Sequence, residues 1–449
     1  MTLVHLGVLV VLSSWAFGGG AVWARTAIAS WGSLAPIISV IAIFNRESRR
    51  QRAQRTMLWL WPFVLFNALV VVSCLNPSFT PKIFAAEPLL AYTGPAHANW
   101  PSTVNVAESR AHLWLFDATY LSCFNLLLVI RRRRALRFLL LAACANTLLL
   151  AIFGTFQRLV SDGLYFGAVH SPNLRFFATF VYGNHWAAYL ALFFTASIGL
   201  VFYYGSRATS AAPVTFGVTA LVLMAITPPL AGLRAGTAMI LGVGLIAVIH
   251  TLLQIRRRRR SYGESAKLPV AGLVVILAVV FGGSIYLGSD ALNERLADTR
   301  GQLRTGMFTE RVQLYSDTWR IAAERPWFGW GLGSYEKTLQ LIRPRPVEER
   351  RQYEHSYVDA HSDWLQSLAE AGFIGTLLVI LCGALPAKRC RASLRAGNIP
   401  AYLLGGCGLI LLYAGVEFPF GNPAVTVAFW LCFFSALQYT RLQSHARHA

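Results

Sequence analysis

Residues 236–260 read GTAMILGVGLIAVIHTLLQIRRRRR, an apolar run over 236–254 closed by consecutive arginines from Arg256 to Arg260. A helix of that length rises by roughly 28 Å, close to the ~30 Å of hydrocarbon in a bilayer. Lipid offers no partner to a bare N–H or C=O, so a segment that crosses it is a helix or a strand of a closed barrel. The run is continuously apolar rather than alternating, which selects the helix. Arginine is expensive in hydrocarbon, so the five mark where the helix leaves the membrane and on which side.

The same pattern repeats along the 449 residues. Apolar runs lie at about 3–23, 26–44, 57–74, 113–130, 136–156, 185–204, 212–231, 236–254, 268–288, 371–387, 399–415 and 424–440. Composition agrees: 55% of the chain is hydrophobic and 13% charged, with a mean hydropathy of +0.49. A soluble globular protein has ~45–50% apolar and ~25% charged residues, and a disordered chain has low hydrophobicity. Both are excluded. The expected fold class is an all-α integral membrane protein of about 12 transmembrane helices.

Basic residues set the topology. Arg46, Arg49, Arg50, Arg52 and Arg55 follow the second run, Arg131 to Arg134 and Arg137 the fourth, and Arg207 the sixth. Arg256 to Arg260 and Lys267 follow the eighth; Lys388, Arg389, Arg391 and Arg395 the tenth; Arg441 and Arg447 lie in the tail. These 23 of the 40 Lys and Arg residues fall on one side, which the positive-inside rule makes cytoplasmic, with both termini. The net charge of +20 is then a topology signal with attraction to anionic membrane lipids, not a nucleic-acid footprint. The first run has no Lys or Arg before it, unlike a cleaved signal peptide, and is read as a span. The seven cysteines lie in or beside the runs with no CxxC spacing; they read as small apolar packing residues, with no disulfide framework or zinc site.

The organisation is then spans 1–9 over residues 1–288, with external loops 75–112 and 157–184; a helical loop subdomain over 289–370; and spans 10–12 with a cytoplasmic tail over 371–449. Loop 75–112 is rich in Pro and Ala and is expected to be irregular. Residues 289–370 hold 13 of the 20 acidic residues, and a connection this long is functional or disordered. Its aromatics argue for order. Thr309 is a candidate N-cap for a helix over about 310–325, which Pro326 ends. In Trp327–Tyr335 glycines alternate with larger residues, and Trp330 and Tyr335 serve either as a membrane-interface belt or as a saccharide platform. A second helix is expected over about 360–370, with His361, Trp364, Leu365 and Leu368 on one face.

His361 is the candidate general base. Placed in the first turn of its helix, it would be kept neutral by the macrodipole and able to take a proton; the alternative is a packed interfacial histidine. His355, His170 and His185 are competitors, and no HxxxH or HExxH spacing points to a metal. Arg158, Arg175, Arg234 and Arg311 are candidate phosphate ligands, because guanidinium forks bind phosphate bidentately; snorkelling to lipid headgroups is the alternative. There is no Asp-x-Asp and no P-loop, so neither a metal–nucleotide-sugar site nor ATP-driven chemistry is supported. No cofactor is expected, and the energy for a reaction outside must come with a lipid-borne substrate.

Arg325-Pro326-Trp327-Phe328-Gly329-Trp330-Gly331-Leu332-Gly333-Ser334-Tyr335 resembles the R-P-x-x-G-x-G-x-G-x-[YF] stretch of the O-antigen ligase-related family. This family comprises O-antigen ligases, O-antigen and exopolysaccharide polymerases and pilin oligosaccharyl ligases. His361 to Gly375 is similar to its H-x-x-x-L-Q-x-x-x-E-x-G-x-x-G mark. Ala178 to His185 is similar to its G-T-F-x-N-x-N-H run, with Tyr182 in place of an Asn. Leu233-Arg234-Ala235-Gly236 is similar to its S-R-G-A turn, with Leu233 in place of the Ser.

The resemblance implies an inverting, metal-independent glycosyltransferase in the bacterial inner membrane. It would move a glycan from undecaprenyl pyrophosphate to an acceptor hydroxyl at the periplasmic face. The acceptor is lipid A–core in a ligase and another lipid-linked glycan in a polymerase. On this carry-over His361 activates the acceptor, and Arg234 and Arg175, with Arg311 and Arg158, hold the pyrophosphate. Trp330, Tyr335, Asn184 and His185 contact acceptor or saccharide. A twelve-span transporter is the reading from another class; it would place ionisable residues mid-membrane and show repeated halves, and no repeat is evident. A non-catalytic scaffold of an envelope-polysaccharide complex is a third.

Overall fold

The computed structural model describes residues 1–44, 47–84, 87–160, 164–166, 169–171, 173, 176–207, 209–262, 282–283, 307–342, 358–391 and 397–445. Its helices are α1 (Thr2–Trp15), α2 (Val22–Gly32), α3 (Ala35–Phe44), α4 (Glu47–Met57), α5 (Trp61–Leu75), α6 (Val106–Val129), α7 (Arg133–Val160), α8 (Gly183–Gly205), α9 (Ala212–Leu230) and α10 (Arg234–Tyr262). These are followed by α11 (Met307–Glu324), α12 (Tyr335–Ile342), α13 (Asp363–Arg389), α14 (Asn398–Tyr413) and α15 (Pro423–His445). Among the described residues, nine helical stretches are long and apolar enough to cross a membrane, α2 with α3 and the end of α4 with α5 each counting as one. The chain is a multi-pass membrane protein.

The expected count of twelve spans is not reproduced. α1 and α14 have 14 and 16 residues, short of the ~20 that hydrocarbon requires. α1 stops because Phe17, Gly18 and Gly19 take φ of 52°, 59° and 77° in succession, a left-handed stretch that no α-helix continues through. The run at 268–288 falls outside the described residues except for 282–283.

Nor is the protein all helical. Loop 75–112, expected to be irregular, carries an antiparallel hairpin of β1 (Phe79–Phe84) and β2 (Glu87–Tyr92), in register from Phe79 opposite Tyr92 to Phe84 opposite Glu87. Pro81 and Pro88 obscure it in the sequence, yet a two-stranded ribbon gives each strand an open edge, where a missing N–H is tolerated. A second pair, β3 (Leu164–Tyr165) and β4 (Val169–His170), is shorter.

α8 and α15 occupy the middle of the bundle, with 83% and 89% of their apolar windows buried; α9 and α10, at 28% and 17%, lie at its rim. Small residues let α8 approach its neighbours. A Cβ added at Gly199 would stand 3.2 Å from Ile399 Cα in α14, and one at Gly236 in α10 would stand 2.6 Å from Ala187 Cβ. In a membrane such close van der Waals approach, not water exclusion, drives helix association.

α11 and α12 close with the start of α13 on a small core of Leu314, Ile321, Tyr335, Leu339, Ala360 and Ala369. The glycine-alternating stretch ties it to α13. Gly329 and Gly372 have φ of 67° and 64°, and a Cβ on either would stand 2.4 Å from backbone of the other's segment. α13 is interrupted at Gly372. The backbone groups this frees are taken by the stretch: Trp330 and Gly331 donate to the carbonyls of Ala369 and Glu370, while Phe373 and Ile374 donate to those of Pro326 and Trp327. The buried Glu370 carboxylate accepts from the amides of Gly333 (2.9 Å) and Tyr335 (3.2 Å). The outcome is a rigid joint that holds α11 beside the start of α13.

Candidate active site

α14 ends at Tyr413, and the chain turns back into α15 through Gly415-Val416-Glu417-Phe418. Glu417 is the hub. Its side chain is 7% exposed, and four residues from three other segments reach it. Asn184 donates its amide at 3.0 Å and the Tyr182 phenol donates at 3.3 Å, both from the start of α8. Arg311 in α11 pairs at 3.3 Å. His361, just before α13, brings Nδ1 to 3.5 Å. The Asn184 amide also donates to the Tyr182 oxygen at 2.8 Å. A buried carboxylate is tolerated only when so paired.

The local sequence explains how these groups are held. Ser362 is the N-cap of α13, its hydroxyl accepting from Leu365 N at 3.4 Å. Asp363 N donates to the Glu417 carbonyl, and the Asp363 carboxylate accepts from Phe420 N at 2.9 Å. The loop before α15 is thereby stitched to the start of α13. Phe418 stands among three rings, stacked on Tyr182 with centroids 5.2 Å apart and edge-on to His185 and His361. Tyr315 of α11 donates to the His361 carbonyl at 3.1 Å. Burial, then the nearby Glu417 charge, pushes the Tyr182 phenol well up, so it stays a donor; burial raises Tyr315 likewise.

His361 is not in the first turn of its helix, as expected. The Ser362 cap starts α13 at Asp363, and His361 precedes the cap with a left-handed φ of 51°. The macrodipole argument therefore does not apply to it. The carboxylate beside the ring is Glu417, whose Oε2 stands 3.5 Å from Nδ1.

Of the other candidates, the structure brings Arg311, Asn184 and His185 to this cluster, His185 placing Nε2 3.2 Å from the Phe418 carbonyl. Arg234 is exposed at the first position of α10, two residues before the Gly236–Ala187 crossing that sets α10 against the start of α8. Arg158 is exposed in the last turn of α7. Arg175 and His355 lie outside the described residues. Tyr335 is corrected: it is 1% exposed, its hydroxyl 2.8 Å from Thr318, so it is a core residue and not a saccharide contact. Trp330 is half-buried, donates its indole N–H to Ile321 O and carries Arg325 over its ring at 3.8 Å. Both rings face inward because the stretch that carries them is the joint to α13.

Glu417 was not foreseen. A signal existed: it is the one acidic residue in 371–449, and a lone charge between two apolar runs marks function by default. Tyr182 stood out only as a departure from a motif.

Fold and cluster together define a multi-pass membrane protein with a His–Glu centre where α8, α11, α13 and α15 meet. Residues 219–380 match the family model described as O-antigen ligase, which supports the O-antigen ligase-related resemblance and an enzyme of ligase or polymerase type. The matched segment holds Arg234, Arg311 and His361, whereas Tyr182, Asn184 and Glu417 lie outside it. No curated protein matches the chain.

Proposed function

We propose that this protein is an inverting, metal-independent glycosyltransferase that acts at the periplasmic face of the bacterial inner membrane, with both termini cytoplasmic. The donor is a glycan on undecaprenyl pyrophosphate, and the acceptor hydroxyl belongs to lipid A–core, which makes the protein an O-antigen ligase. The acceptor oxygen attacks the anomeric carbon as the bond from that carbon to the pyrophosphate oxygen breaks. The hydroxyl proton passes to Nε2 of His361, and Glu417 stabilises the imidazolium that forms. Arg311, Arg234, Arg175 and Arg158 stabilise the departing pyrophosphate. Asn184 and His185 border the acceptor path.

The observation that carries this reading is His361 Nδ1 facing a buried Glu417, 3.5 Å away, with Arg311 on the same carboxylate. The test uses purified protein, undecaprenyl-pyrophosphate-linked glycan and EDTA, without nucleotide. Lipid A–core or more donor is supplied as acceptor, and products are followed by mass spectrometry. Transfer to core that is lost in His361→Ala is expected. Chain lengthening without core would instead make the protein a polymerase, and undiminished transfer by His361→Ala would overturn the base assignment.

A further inference from the structure

At the opposite end of α8 from the His–Glu cluster, Tyr203 lies between two guanidiniums. Arg137 of α7 stands 4.6 Å from its ring centroid and Arg207 stands 4.1 Å from it. Arg137 also donates to the Tyr439 hydroxyl of α15 at 3.4 Å, and Arg133, one turn earlier in α7, lies over the Tyr439 ring at 5.9 Å. Arg207 is fixed by bonds to the Tyr203 carbonyl and the Ser206 hydroxyl. Three like charges thus converge on two tyrosines where three helices meet. Ring faces offset part of their repulsion.

No carboxylate offsets the rest. Among the described residues, ion pairs join His112 to Glu108 and both Arg311 and His361 to Glu417; Arg133, Arg137 and Arg207 are in none of them. We propose that this cleft between α7, α8 and α15 is a phosphate-binding site, filled by the phosphodiester of an anionic phospholipid. Forked guanidiniums suit phosphate oxygens.

The surroundings favour a lipid over free phosphate. α7 also exposes Phe138, Leu141, Leu149, Ile152 and Phe156, a stripe at helical spacing on the face next to that of Arg137. Headgroup and acyl chain would lie on adjoining faces of α7. Basic pockets between membrane helices take anionic headgroups in this way.

The test places the full-length protein in nanodiscs of phosphatidylethanolamine with phosphatidylglycerol and reads co-retained lipid by native mass spectrometry. Wild type is expected to keep phosphatidylglycerol selectively, and Arg137→Gln and Arg207→Gln each to lower that retention by about fivefold. Arg132→Gln, an exposed arginine just before α7, is expected to change nothing. Equal loss in Arg132→Gln would show diffuse surface charge and overturn the site, as would full retention in the double variant. If the double variant does not fold, Tyr203→Leu, which removes the shared ring and no charge, must lower retention for the proposal to stand. Displacement of the lipid by inorganic phosphate in detergent would overturn the lipid as occupant.

Discussion

The Nδ1 atom of His361 lies 3.5 Å from Oε2 of Glu417, a carboxylate on the loop between the last two helices. The two residues belong to different helical hairpins and meet because Asp363 bonds that loop through both its amide and its side chain. If Glu417 orients the ring and stabilises its charged form, Glu417→Gln lowers the rate of glycan transfer by a factor on the order of 10²–10⁴. His361→Ala lowers it as far, and the double variant little further, because the pair acts as a unit. Initial rates on purified protein measure this. Wild-type turnover by Glu417→Gln would remove the carboxylate from the mechanism.

Arg311 is bound on one side to Glu417 and is half exposed on the other. Arg311→Gln is expected to raise KM for the pyrophosphate donor about tenfold or more, the scale of one lost charge-assisted hydrogen bond. The same substitution at Arg234 should act in the same direction. Donor titrations at saturating acceptor decide it; an unchanged KM with reduced kcat would mean that Arg311 serves Glu417 alone.

Gly372→Ala places a methyl 2.4 Å from the backbone of Trp327 in a left-handed conformation. Loss of about 3 kcal/mol or more is expected, in the range reserved for backbone strain and overpacking. Gly405→Ala in α14, where a Cβ meets nothing within 4 Å, should be neutral or slightly stabilising. Thermal unfolding of the two variants in detergent gives the comparison, and equal midpoints would contradict the joint.

Burial holds the Asp359 carboxyl above its usual range, against the pull of the Gln366 side chain, His361 and Arg25. A carboxyl raised in the folded state contributes stability that is fully present below its unfolded pKa of about 3.9 and is lost as pH rises through the raised value. Wild type should therefore lose stability relative to Asp359→Asn as pH rises from about 4. Unfolding midpoints across that interval test the sign, and a gap that widens in favour of wild type would refute it.

Much of the fold was legible in the sequence, and the reasons differ by element. The run at 236–254 states a span, since hydropathy is a property of contiguous residues. The run at 3–23 misled, because composition says nothing of the left-handed turn at Phe17–Gly19. The hairpin in 75–112 was hidden by prolines whose cost depends on which strand edge is open. At the site, His361, Arg311, Asn184 and His185 could be picked out singly. Tyr335 was misjudged because an aromatic ring beside glycines looks the same in sequence whether it faces a ligand or a core.

The sequence by itself determined that this chain is a bundle of membrane helices, because the absence of water in a bilayer constrains each helix independently of the others. Only the tertiary structure decided that Tyr182, Asn184, Arg311 and His361 gather on Glu417, and that the glycine-alternating stretch is a joint. Those contacts join segments far apart in the chain. They are fixed by which backbone and side-chain groups satisfy one another at close range, and no local pattern encodes that choice.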